Sequence, residues 1–223
     1  MTNLCKFCTL DSRFLKRESF VKDEEFALVA GYKERFIWLD GEINPKVAYQ
    51  FKRMLSKLNR LKCAPITFYI RGPGGNSYSA FHIMNEINNS DSPVATVAHG
   101  YVGSGCFTIT QAGAHRLALA GTKFIFHLAE SAFEGKYSGI IEMTQSWHID
   151  NLERLKLIDG AQLCWFSKKG RPIKKIFDLF KAETVLTVPK ARKLHLIDDY
   201  YKEKDFLKDR RIARKLIRAR DKP

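Results

Sequence analysis

The stretch from Ile70 to His127 limits the fold most tightly, because it sets two glycine-rich breaks directly after apolar strands and directly before helical patterns. Thr67-Phe68-Tyr69-Ile70 is a β-branched and aromatic run. Arg71-Gly72-Pro73-Gly74-Gly75 stops it, and an apolar pattern of helical period begins at Ser77. The same order recurs one unit later: Val94 to Ala98 reads as a buried strand, Gly100 to Gly105 as a turn containing Ser104, and Cys106 to Ala114 as a helix. Strands that alternate with helices in this way run parallel, so both turns should open on one edge of a sheet.

A serine on a sharp turn between strand and helix points its hydroxyl out of the sheet. The first amides of the helix have no intrahelical acceptor and can meet a developing oxyanion. The strict nucleophile-elbow pattern puts glycine two places on each side of the serine, and Val102 and Cys106 stand there instead. By spacing alone the turn therefore fits an ordinary tight connection as well as a nucleophile.

Upstream, Arg35-Phe36-Ile37-Trp38-Leu39 is a strand candidate, and Asn44-Pro45 starts a helix with Asn44 as N-cap. Val47, Phe51, Met54, Leu55, Leu58 and Leu61 recur at helical spacing, which makes that helix amphipathic, and Ile66 to Ile70 completes a βαβ unit. The next helix, capped by Asn76 or Ser77, turns Ala80, Phe81, Met84 and Ile87 inward. After the Ser104 unit come short strands at Arg116 to Leu119 and Lys123 to His127, joined by a turn at Gly121. From about Gly139 to Phe166 the pattern predicts one long helix with apolar residues on several sides, asking for cover by a second subunit or by its own sheet. A further helix ends at Ala182, and Val185-Leu186-Thr187-Val188-Pro189 leads to a short one.

The net charge of +14 favours acidic partners. Much of the excess sits at Arg210, Arg211, Arg214, Lys215, Arg218, Arg220 and Lys222, among Leu207, Ile212, Leu216 and Ile217; an amphipathic basic helix and a solvated tail both fit that pattern. No apolar run approaches the roughly 20 residues needed to cross a bilayer, and the first residues lack the pattern of a secretion signal, so the expectation is a cytoplasmic protein with no membrane contact. Cys5, Cys8, Cys63, Cys106 and Cys164 are scattered and odd in number, which favours reduced thiols. Cys5 and Cys8 have metal-ligand spacing but no second pair follows, so no metal is expected.

Taken in order, Leu39-Asp40-Gly41, Gly72-Pro73-Gly74-Gly75, Gly100-Tyr101-Val102-Gly103-Ser104, Ala112-Gly113-Ala114, Phe124-Ile125-Phe126-His127, Gly135 and Val185-Leu186-Thr187-Val188-Pro189 resemble the proteolytic subunit family of the Clp protease (ClpP), within the ClpP/crotonase fold group. The resemblance runs from Lys33 to Asp198, roughly three quarters of the chain. It implies an α/β core of repeated β-β-α and βαβ units with a protruding handle helix. The expected division is an N-terminal arm (1–30), a peptidase domain (31–200, handle about 129–168) and a basic tail (201–223). It also implies a serine endopeptidase without cofactor, assembled as a homo-oligomer of stacked heptameric rings and fed polypeptide by an AAA+ ATPase unfoldase.

Carried over by position, Ser104 becomes the nucleophile, His127 the base and Glu183 the acid, with the amides of Gly75 and Gly105 as oxyanion hole. Asp178 is the alternative acid, and His82, His99, His115, His148 and His195 read as surface or packing residues. Cys106 stands where the family has glycine, Gly105 where it has a bulkier residue, Ala129 where a proline is usual and Thr184 where a charge is common. Those departures keep open a catalytically inactive structural or regulatory subunit. Crotonase-type acyl-CoA chemistry would use the same paired amides, but a serine and a histidine in peptidase positions argue against it.

Overall fold

The computed structural model describes residues 21–23, 26–125, 127 and 173–220. Contacts divide the chain into two units, residues 1–124 with 186–223, and residues 125–185. The long helix expected between Gly139 and Phe166, the Cys5 and Cys8 pair, and most of the N-terminal arm lie outside the described residues.

The first unit is built on a sheet whose strands are β1 (Val21–Asp23), β2 (Phe26–Gly31), β3 (Phe36–Gly41), β4 (Ile66–Gly72), β5 (Val94–Gly103), β6 (His115–Ala118) and, after the second unit, β9 (Asp199–Tyr200). They lie side by side in the order β1-β2-β3-β4-β5-β6-β9. β1, β2 and β3 pair antiparallel; from β3 to β9 every neighbour is parallel. Strands β7 (Lys123–Ile125) and β8 (Val185–Thr187) lie off this path. β1 and β2 give strand structure to a segment whose sequence signals are weak, because β2 is held by its register against β3, from Phe26 opposite Gly41 to Gly31 opposite Phe36.

Successive side chains in a strand point to opposite faces, and both faces here are apolar. On one face, α1 (Pro45–Leu61) lays Phe51 on Phe68, with ring centroids 4.6 Å apart. The sequence supports this helix at its start: Asn44 Oδ1 accepts from Val47 N at 2.9 Å, and Pro45 needs no acceptor in the first turn. It buries Val47, Ala48, Phe51, Met54, Leu55 and Leu58, while Leu61 is half-buried. α2 (Ser77–Asn88) is capped by Asn76 and buries Ala80, Ile83, Met84 and Ile87; Phe81 is half-buried rather than fully inward. α3 (Ser104–Thr110) follows β5.

The opposite face carries the row Trp38, Tyr69 and Val97, which are neighbours in register across β3, β4 and β5. The basic C-terminal segment covers it. Beyond α4 (Ile173–Lys181) of the second unit and α5 (Val188–Lys193), helix α6 (Glu203–Arg220) buries Phe206, Ala213 and Leu216 against this row. The amphipathic helix expected from sequence is therefore present, with its stripe shifted: Phe206 is 5 % exposed while Leu207 is 38 % exposed. Tyr69 Oη donates to Asp209 Oδ2 at 2.7 Å and lies 2.9 Å from Tyr201 Oη, which ties α6 to the middle of the sheet. Arg116 spans Asp198 and His195 O, closing β6 on the chain that leads into β9. Among the described residues no helix is long and apolar enough to cross a membrane.

Candidate active site

β4 and β5 deliver the two glycine breaks to neighbouring positions because the strands are parallel and in register up to Ile70 opposite Ala98. Past that pair the register shifts, and Gly72 lies opposite Val102. The extra length is taken up at Gly100, whose φ of +65° costs glycine little. Strand structure therefore continues to Gly103, where the sequence alone suggests a longer turn, and the change of direction is compressed into Gly103 and Ser104.

Ser104 is the first residue of α3 and has a φ of +45°. A residue with a Cβ pays roughly 1–2 kcal/mol for that region. Such strain persists only where the surroundings fix it, and it concentrates at functional positions. Here the surroundings are the first glycine turn. A Cβ on Gly74 would lie 2.5 Å from Ser104 Cβ and 2.8 Å from Gly105 N, so only glycine lets the two backbones meet. At Gly75, with φ +128°, a Cβ would run into Ile43 O, which is bridged to this turn. Ser104, Gly75 and Gly105 are thus gathered within the first unit. The amide of Gly105 is among the first of α3 and has no intrahelical acceptor.

Cys106 follows two residues after Ser104 in α3. It is fully buried and its thiol reaches Gly41 O at 3.9 Å. Burial pushes its pKa up to about 12, so it stays protonated and unreactive near neutral pH. Asp40 and Arg71, neighbours across β3 and β4, form an ion pair at 3.3 Å. Burial raises the Asp40 pKa, against the pull of Arg71 and Arg210.

His127 and Glu183 belong to the second unit. His127 follows β7 and is half-buried. Glu183 lies just past α4 with a φ of +46°; Ala182 N and Thr184 N bond back to Asp178 O and Leu179 O, closing the helix end. Asp178 is therefore a helix residue one turn earlier. His99, grouped with the packing histidines from sequence, is buried against the rings of Trp38 and Phe206, and burial followed by the charges of Arg71 and Arg210 lowers its pKa to about 3. No sequence signal marks it, since its neighbours come from β3 and α6.

The Clp protease family model matches residues 24–204. An ATP-dependent Clp protease proteolytic subunit of Pleurastrum terricola is 24% identical over 170 residues, covering 75% of this chain and 83% of that protein. The ATP-dependent Clp protease proteolytic subunit 2 of Treponema denticola is 26% identical over 145 residues, 64% of this chain and 70% of its own length. Among solved structures, a mutant of ClpP1 from Listeria monocytogenes superposes with a TM-score of 0.66 at 20% identity, over 78% of this chain and 95% of that one. The shared architecture is thus the ClpP fold, and with a family model running from just before β2 to the start of α6, the chain belongs to the Clp protease family.

Proposed function

We propose that this chain is the serine endopeptidase subunit of a self-compartmentalised Clp-type protease, cleaving unfolded polypeptides or peptides delivered by an ATPase unfoldase. Family membership and relatives named as proteolytic subunits support the reaction class. The observation that carries the reading is the left-handed backbone of Ser104 on a turn packed against Gly74.

A serine hydroxyl is a weak nucleophile near neutral pH and needs a base to take its proton. In this reading His127 removes the proton as Oγ attacks the substrate carbonyl, and Glu183 holds the imidazole in the useful tautomer and balances its positive charge. The carbonyl oxygen becomes an oxyanion between the amides of Gly75 and Gly105. Collapse of that intermediate breaks the peptide bond, and His127 returns its proton to the departing amine. Water then repeats the sequence on the acyl-enzyme. Stacked heptameric rings would enclose the site, and the basic α6 face would suit an acidic partner.

An inactive subunit is the alternative. Cys106 is one of the departures in the sequence that keep it open, and its thiol is buried and protonated. The deciding experiment is covalent labelling of the assembled protein by a fluorophosphonate, followed by intact mass. Labelling that disappears in Ser104→Ala supports the peptidase. Absence of labelling in a correctly assembled oligomer rejects it in favour of the structural subunit.

A further inference from the structure

At the carboxyl ends of β3, β4 and β5, on the face that α6 covers, Asp40, Arg71 and His99 stand two positions beyond Trp38, Tyr69 and Val97. α6 brings Arg210 and Arg214, one turn apart, to the same place. Together with Trp38 these residues line a cavity of about 100 Å³. Three guanidinium groups face one carboxylate, so with His99 neutral the lining carries a surplus of two positive charges.

His99 adds an independent observation. It is 6 % exposed, and its Nε2 finds no hydrogen-bond partner among the described residues. Buried polar groups are nearly always paired. The three guanidinium groups of the lining offer donors, while its one carboxylate, Asp40, is already ion-paired with Arg71. What complements such a lining is a compact anion rich in acceptor oxygens.

We propose that this cavity binds a single phosphate group, either free or as the end of a small phosphomonoester. Size allows the choice: about 100 Å³ is several times the roughly 10–15 Å³ that a single water requires, so a four-oxygen anion has room. Charge supports it too, since a phosphate monoester carries about −1.5 to −2 near neutral pH and a carboxylate only half of that. Guanidinium forks match phosphate oxygens in pairs. Arg71 and Arg214 are exposed at the rim, which leaves an open path for entry and for the remainder of an ester.

The test is titration of the full-length protein with inorganic phosphate, with glycerol phosphate and with acetate, in phosphate-free buffer at constant ionic strength, followed by calorimetry and by the ¹⁵N shift of the His99 imidazole. Saturable binding of one phosphate per chain, with a shift at His99, is expected. Arg210→Gln and Arg71→Gln should each weaken it about tenfold or more, the loss of one charge-assisted contact. Arg211→Gln and Arg218→Gln, on the same helix but outside the lining, should leave it unchanged. A tighter ester assigns the open side to the ester's remainder, and equal affinities assign free phosphate; both uphold the site. No saturation by about 10 mM phosphate, acetate binding as tightly as phosphate, or equal weakening by Arg211→Gln would each overturn it.

Discussion

Acid should destabilise this protein through His99, and replacing His99 by leucine should remove that sensitivity. Burial, then the charges of Arg71 and Arg210, take the His99 pKa from its ordinary 6.5 to about 3. Between those values the unfolded chain binds a proton that the folded chain refuses, so stability is intact above pH 6.5 and falls as pH drops toward 3. At about 1.4 kcal/mol per pH unit, going from pH 7 to 4.5 removes about 2.5 kcal/mol through this residue alone. Asp40 and Asp209 act in the opposite sense, because burial raises their pKa values and acid favours their folded form. Those terms are common to both proteins and cancel in the difference. Leucine fills similar space against Trp38 and Phe206 and leaves no unpaired nitrogen, so His99→Leu should match wild type within about 1 kcal/mol at pH 7. Urea unfolding in phosphate-free buffer at both pH values measures the gap directly. If the two proteins lose stability in parallel, the imidazole is not held neutral by its surroundings and the reasoning fails.

Phe206→Ala should cost about 3–5 kcal/mol, the range for emptying a buried aromatic site, whereas Leu207→Ala should stay within about 0.5 kcal/mol because that side chain faces solvent. Chemical denaturation of the two variants checks both; equal costs would show that α6 is not seated through Phe206. Gly74→Ala places a methyl against Ser104 Cβ and the Gly105 amide, and should slow fluorophosphonate labelling at least about 100-fold through misplacement of the serine, with about 1–3 kcal/mol of lost stability. Labelling at the wild-type rate would mean the two turns are not in contact.

How much could be read from the sequence depended on how local each cause was. Asn44 and Pro45 shape the start of α1 through atoms within one turn, so the helix was legible in place and in phase. The continuation of β5 to Gly103 was not, because the shift in register that carries it is imposed by β4. Choosing between Phe206 and Leu207 required the row of rings that α6 meets, since adjacent apolar residues give a helical stripe two admissible phases. The same holds for His99, whose unusual state is made by Trp38, Arg71, Phe206 and Arg210, all distant in the chain. At the candidate site the glycine turns were legible by composition, because only glycine tolerates the close approach of two backbones, whereas Ser104 was singled out as nucleophile by resemblance to the family. His127 and Glu183 were reached by resemblance to the family, and the local pattern around either one carries no comparable constraint.

The strained serine offers a measurement that separates backbone geometry from chemistry. Both Ser104→Ala and Ser104→Gly remove the hydroxyl, so neither can be labelled. They differ in what they ask of the backbone at a φ of +45°. Alanine keeps the Cβ and with it the roughly 1–2 kcal/mol cost of the left-handed region. Glycine is free of that cost but gives back about 0.5–1 kcal/mol in the entropy of the unfolded chain. Their difference should therefore leave Ser104→Gly the more stable by about 0.5–1 kcal/mol, the reverse of the order at an ordinary helical position. The strain is tolerable because Cys106, Phe107 and Ile109, buried just beyond, each contribute about 1.5–3 kcal/mol or less by leaving water and pin α3 in place. Equilibrium unfolding of the two variants under identical conditions gives the sign. Greater stability for Ser104→Ala would mean that the backbone relaxes out of the left-handed region, and the turn would then have no special claim to hold a nucleophile.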